Sequence, residues 1–201
     1  MAEKSEEKKD KIALKALELF LTQGYENVSI SDLQNALDMG RGTMYYYFKD
    51  KEDLFFYVMT EYFITPKRRC MHQPDSILVD EMIDVMLKYL YSLEALANQF
   101  DNKNVNTSGV VTLYYTAYLQ FPHLYKLAYR IYETELDLWK RALRNSIHAG
   151  QVRPDIDVET IASLFTHIKD GYDSGRAGVQ MDFSMFPRNY FCLLDLIKIK
   201  K

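Results

Sequence analysis

The sequence predicts an all-α protein: an N-terminal three-helix helix-turn-helix module and a larger C-terminal helical domain, about nine helices together. Three observations carry that expectation. Glycine and proline are sparse, 8 and 5 of 201 residues, which favours a few long elements over many short strands. Apolar residues recur three and four apart along most of the chain, the period of a helix with one buried face. Helix-start signals, Ser29-x-x-Asp32, Asp50 and Asp157, stand just ahead of such stretches.

The elements follow in order. Ile12, Ala16, Leu19 and Phe20 share one helical face, widened by Ala13 and Leu17. They predict a first helix over about 6–22, with Gly24 placed as its left-handed cap. Ser29 and Asp32 form a capping box, and Val28 with Leu33 a hydrophobic staple, opening a helix of only two turns. Asp38 tolerates the left-handed turn that must follow. Gly40 caps a third helix through about Tyr47, and Asp50 caps a fourth that Pro66 disturbs. Two short helices joined by a tight turn between longer ones are the layout of a helix-turn-helix.

Beyond this module, Pro74-Asp75 are expected to open a long helix with Leu78, Met82, Val85, Met86, Tyr89, Leu93, Leu96 and Phe100 on one face. The polar residues 101–108 read as a loop and 108–119 as a shorter helix. Pro122 starts a helix over about 122–148, ended by Gly150. Asp157 caps the next, and Pro187 begins the last.

Charge does not advertise a nucleic-acid partner. The formal net charge is −3, and the first 69 residues hold 11 basic against 12 acidic side chains. DNA binding must therefore rest on local geometry. Helices below about 12–15 residues are marginal alone, so the two short ones persist only when wedged against the first and fourth. That leaves the second of them protruding, able to enter a major groove about 12 Å wide. Its exposed start carries Arg41, Gly42, Thr43, Tyr45 and Tyr46. Arg can fork onto a guanine edge, Thr and Tyr can meet thymine methyls or phosphates, and Gly admits a close backbone. Three consecutive tyrosines, 45 to 47, point about 100° apart, so they cannot all be buried. Lys51, at the start of the fourth helix, suits a phosphate. The cluster Lys67-Arg68-Arg69 reads as a solvated helix end, with contact to DNA flanks as the alternative.

Residues 12–54 resemble the DNA-binding domain of the TetR family. The resemblance runs through Gly24-Tyr25 and Ser29 to Leu33, and is sharpest from Gly42 to Leu54, Gly-Thr-Met-Tyr-Tyr-Tyr-Phe-Lys-Asp-Lys-Glu-Asp-Leu. Gly150 to Asp155 and Asp170-Gly171 are similar to the family's later helix junction and dimer helix. The resemblance implies a homodimer, double-stranded DNA bearing a palindromic operator, and a small-molecule effector that releases the DNA. It places Ser29, Arg41, Thr43, Tyr45, Tyr46 and Lys51 at DNA. Two positions depart from the family pattern: Asp38 replaces its turn Gly, and Gly40 its capping Ser or Thr.

The chain thus divides into a DNA-binding domain, 1–50, and a ligand-binding and dimerisation domain, 51–201. For the ligand, Met82, Met86, Tyr89, Tyr118, Trp139 and His167 are the candidates, because Met and aromatic stripes suit an adaptable apolar or aromatic pocket; ordinary core is the competing reading of each. For the dimer, the candidates are Leu164, Ile168, Gly171, Gly175, Tyr190, Leu193, Leu194 and Ile197, apolar stripes of the last two helices that must be buried somewhere. Gly171, Gly175 and Gly178 at i, i+4 and i+7 fit either close helix contact or a frayed end.

No enzyme is expected. His72, His123, His148 and His167 never pair at helical spacing, no Gly-rich phosphate loop or nucleophile elbow occurs, and Cys70 and Cys192 stand far apart. No metal or cofactor is called for. The charged opening lacks a signal core and no apolar run could span a bilayer, so a cytoplasmic protein without membrane contact is expected. A reading from another class fits the acidic balance and Asp38: a helical ligand-binding or protein-interaction protein that has lost DNA binding. Salt-dependent retention on duplex DNA separates the two.

Overall fold

In a computed structural model, describing residues 2–100, 102, 105, 107–175 and 182–199, the chain is helical throughout with no strand among the described residues. Helix α1 is Ala2–Gln23, α2 Ile30–Leu37 and α3 Arg41–Tyr47. Lys51–Met59, a π-helical turn Thr60–Ile64 and Thr65–Cys70 run end to end as one rod, α4. The second layer holds α5, Val79–Asn98; α6, Thr107–Gln120; α7, Pro122–His148; α8, Val158–Gly175; and α9, Met185–Ile197. Among the described residues the expected count of about nine holds, with the three end-to-end segments of α4 taken as one.

The expected signals are used. Ile12, Ala13, Ala16, Leu17 and Phe20 of α1 are buried, and Gly24 caps the helix at φ 80°, its N–H donating to the Phe20 carbonyl. Asp38 adopts the left-handed turn at φ 50°, where a non-Gly residue is uncommon but Asp is among those tolerated. α1 starts earlier than expected. Glu7 and Lys11 stand at i, i+4 in the favourable order, which supports helix in a polar stretch.

Two boundaries moved. Pro66 disturbs α4, as expected, without ending it: it lies in the first turn after the π segment, and the helix runs on to Cys70. The Thr65 N–H bonds five residues back to the Thr60 carbonyl, a wider turn that accommodates a ring unable to donate. Pro74-Asp75 do not open α5. They make a turn, with the Ile77 N–H donating to the Pro74 carbonyl at 3.1 Å, and Asn145 of α7 pins that turn by donating to the Asp75 and Ile77 carbonyls. α5 then begins at Val79, whose N–H is received by the buried Ser146 hydroxyl at 2.9 Å. Glu81 accepts from the Leu78 N–H at 2.8 Å.

α7 is the spine, packed by α5, α6 and α8, while α1 packs on α2, α4 and α6. The apolar core is continuous from α1 to α9. At the joint between the layers Tyr25, Phe55 and Phe121 meet with ring centroids 4.5–5.5 Å apart.

Candidate DNA-binding face and ligand cavity

The α2–turn–α3 unit is held by local chemistry. The Asp32 N–H donates to Ser29 Oγ at 3.2 Å while Asp32 Oδ2 accepts from the Ser29 N–H at 2.7 Å. Leu33 and Met44 are the buried anchors of α2 and α3. Gly40 caps α3 with backbone alone. With Met44 turned inward, the opposite side of α3 is presented: Tyr46 is 76% exposed and Tyr45 47%. Gly42 is exposed and Thr43 half-buried. Tyr47 is half-buried and meets Tyr46 edge-on at 4.9 Å. Arg41 opens α3, but its side chain lies outside the described residues. Ser29 is exposed, its hydroxyl engaged by Asp32.

Lys51 is placed differently from the sequence expectation. Its Nζ donates to the Tyr25 carbonyl at 3.1 Å and lies 4.2 Å over the Tyr25 ring. It ties α4 to the end of α1 instead of reaching outward. The Asp53 N–H is taken by Asp50 Oδ1 at 2.8 Å, so the helix start is already capped. Lys49, just after α3, is an exposed cation at this joint.

The second layer encloses a cavity of about 340 Å³ between α4, α5, α6, α7 and α8. Its walls include seven tyrosines: 89, 114, 115, 118, 125, 129 and 132. Of the six expected ligand residues, Tyr89 and Tyr118 line it and four do not. Met82 and Met86 are fully buried in the core. Trp139 packs nearly parallel to Phe165 and Tyr190 in a three-ring cluster, with centroids 4.7 and 5.9 Å from its own and 6.2 Å from each other, so its faces are spent on the core and it does not line the cavity. His167 points outward along α8, its Nδ1 2.7 Å from the Ser163 carbonyl oxygen.

At the closed end lies a group that the charge pattern hid. Lys67, read as part of a solvated cluster, is buried, and only Arg68 and Arg69 face out. Lys67 Nζ sits 2.8 Å from Glu135 Oε2, with Lys169 Nζ 3.8 Å from the same oxygen. Burial pushes the Glu135 carboxyl up, but the Lys169 and Lys67 ammonium groups outweigh it and hold the group below its ordinary range. Lys67 also lies 4.6 Å over the Tyr89 ring. The signal was present: Glu135 interrupts the stripe Ile131, Leu138, Trp139 and Ala142, and a charge at core spacing must find a partner or a ligand.

The dimer expectation is corrected in part. Tyr190, Leu194 and Ile197 are buried in the chain's own core, since α9 turns that face onto α5 and α8; they present nothing to a second copy. Leu164 is exposed, and Ile168 and Leu193 are half-buried. The helix α8 runs to Gly175, but the surroundings of Gly171 and Gly175 lie outside the described residues, as does Gly178 altogether.

Residues 12–58 match the model of the bacterial regulatory proteins of the tetR family. An HTH-type transcriptional regulator of Staphylococcus aureus (strain bovine RF122 / ET3-1) is 29% identical over 160 residues, 73% of this chain and 83% of that protein. Among solved structures, a transcriptional regulator from Saccharomonospora viridis in complex with choline superposes with a TM-score of 0.70. It is 17% identical over 98% of this chain and 100% of the other. The ketosteroid transcriptional regulator of Mycobacterium tuberculosis gives 0.64 at 15% identity, covering 96% of each chain. Both structural likenesses concern the fold. No helix of the described residues is long and apolar enough to cross a membrane.

Proposed function

The chain belongs to the TetR family of transcriptional regulators, and from that premise we propose that it is a cytoplasmic, homodimeric repressor. It binds a palindromic operator and leaves it when a small apolar or aromatic effector fills the cavity. We place the functional division near residue 50, with α4 a wall common to both parts. In DNA, Tyr45, Tyr46, Thr43, Gly42 and Arg41 enter the major groove, with Ser29 beside them, and Lys49 takes the phosphate role expected of Lys51.

The observation that carries this reading is α6. It lines the cavity through Val110, Val111 and Tyr114, and at Gly109 it runs so close to α1 that a Cβ there would collide with the Leu21 carbonyl. A ligand that prefers a displaced α6 therefore acts on α1 and the module carrying α3, shifting the population by its differential affinity. The ligand-bound relative from Saccharomonospora viridis holds choline, consistent with a small-molecule site in this fold. The dimer forms through the outward sides of α8 and α9, where Leu164, Phe191 and Leu196 are exposed.

Selection of bound sequences from a random duplex pool tests the reading. Enrichment of an inverted repeat is expected, and its half-site spacing must match a two-fold protein. Retention that shows no sequence preference at any salt concentration would overturn it.

A further inference from the structure

We propose that the cavity takes a small molecule with an apolar body and a neutral hydroxyl head, the hydroxyl donating a hydrogen bond to Glu135 Oε1. The inference rests on the effector reading for its biological use, but not for the binding itself.

One buried oxygen in the cavity wall lacks a donor. Glu135 lines the cavity and is buried, and a carboxylate accepts hydrogen bonds at both of its oxygens. Oε2 has Lys67 Nζ at 2.8 Å and Lys169 Nζ at 3.8 Å. Oε1 has no hydrogen-bond partner among the described residues. The Trp139 indole, one turn further along α7, helps to keep the carboxyl ionised. Its Nε1 is nevertheless buried without a hydrogen-bond partner of its own among those residues, so it does not satisfy Oε1. An ionised acceptor shut away from water and left unbonded is costly. Here it belongs to the wall of a space of about 340 Å³, where a guest can supply what is missing.

The chemistry of the head follows from what Oε1 lacks. The charge of Glu135 is already met through Oε2, and Glu135 is the only carboxylate among the described lining residues. The need is therefore a proton donor and not a counter-ion. An ammonium head would give up its hydration to reach a carboxylate that already has two ammonium groups beside it. A carboxylate head would set a second acceptor of like charge against Oε1. An ether brings no proton. A hydroxyl supplies the missing bond at the smaller desolvation cost of a neutral group, and a hydrogen bond to an ionised acceptor is a strong one. The rest of the wall sets the body. Leu90, Leu93, Val110, Val111 and Ile131 are aliphatic, and tyrosine rings run from 118 through 125 and 129 to 132 with centroids 6.1–6.4 Å apart. Such walls accept an alkyl chain or a phenyl ring.

The test uses matched heads on fixed bodies: 4-phenylbutanol, its methyl ether, 4-phenylbutyrate and 4-phenylbutylamine, then octanol, its methyl ether, octanoate and octylamine. Binding to the full-length protein without DNA is measured by calorimetry, and release of the selected operator is scored separately. The alcohols are expected to bind about tenfold tighter than their methyl ethers, and tighter than the acid and the amine of the same body. In Lys67→Met/Glu135→Leu, which removes the buried pair together, the preference for alcohol over ether should disappear. Ethers binding as tightly as the alcohols would mean that water or the Trp139 indole already meets Oε1. That result, tighter binding of the acids or amines, or no member of either series binding, overturns the proposal on the wild-type protein alone, whatever the variant does to folding. A preference for alcohol over ether that survives the double variant overturns it as well. Tight alcohol binding without operator release keeps the head-group assignment and removes the effector reading. Operator release by the ethers, acids or amines in place of the alcohols does the reverse.

Discussion

At the scale of single residues, the side chains of the helix-turn-helix divide into those that hold it and those it displays. Tyr46 is three-quarters exposed and, among the described residues, its ring meets that of Tyr47. Tyr46→Ala should therefore weaken operator binding with thermal stability changed by no more than about 0.5 kcal/mol; an unchanged operator affinity in a binding titration would remove it from the interface. Lys51 makes the opposite case. Lys51→Ala removes its bond to the Tyr25 carbonyl, so a lower Tm is expected and the salt slope of DNA binding should stay constant. Lys49→Ala should reduce that slope by about one unit. Ser29→Ala deletes a cap and should cost about 0.5–2 kcal/mol in urea unfolding. The capping carboxylates set the acid limit. Hydrogen bonds from Ser29 hold Asp32, and those from Thr160 hold Asp157, below the ordinary carboxylate range. Their stabilisation is complete above the unfolded-state pKa and is lost as pH falls through the lower folded value. Asp32→Asn should flatten that acid limb in pH-dependent melting.

At the scale of elements, α6 and α4 each carry an unusual helix feature. Gly109 is the position where α6 crosses α1, and only the missing Cβ permits the approach. Gly109→Ala should lower stability by about 1–3 kcal/mol as overpacking, and it should change operator affinity, because relief of the clash moves α6 against α1. Stability and affinity both equal to wild type would show that α1 and α6 slide freely there. In α4, the π turn carries the helix past Pro66, and the continued turn holds Lys67 at the cavity. A helix that stopped at the proline would leave Glu135 buried with Lys169 as its nearer remaining partner.

At the scale of the whole molecule, the Lys67–Glu135 pair bridges α4 and α7 at the cavity, so the cavity and the fold share atoms. Removing one partner of a buried pair costs about 3–5 kcal/mol, whereas replacing both with apolar residues can be neutral. Glu135→Leu should accordingly melt well below Lys67→Met/Glu135→Leu in a double-mutant cycle; additive losses would mean that the pair is not coupled. The proposed dimer is tested at this scale too. Leu164→Glu with Leu196→Glu should yield monomers by sedimentation and lose tight operator binding, since half a palindrome forfeits the second module's contacts. A dimer of wild-type mass in that variant would move the interface elsewhere.

The sequence by itself determined whatever depends on neighbours within a turn or two. The box at Ser29 and Asp32, the left-handed residue at Asp38, the caps at Asp50 and Asp157 and the bounds of α7 were legible because caps, turns and helical periodicity are short-range chemistry. The helix-turn-helix follows from them, and with it the exposure of Tyr45 and Tyr46 opposite Met44. Only the tertiary structure decided which buried face meets a neighbour and which meets a hole. Trp139, Met82 and Tyr89 read alike as apolar stripe residues. Yet Trp139 packs in a three-ring cluster with Phe165 and Tyr190, Met82 is enclosed, and Tyr89 borders the cavity. Tyr190, Leu194 and Ile197 had to be buried, but against their own chain. Lys67 looked like its exposed neighbours Arg68 and Arg69 until the fold brought Glu135, 68 positions away in sequence, within 2.8 Å. Burial is a property of a stripe, whereas the partner across it is a property of the packing, and no local period encodes it.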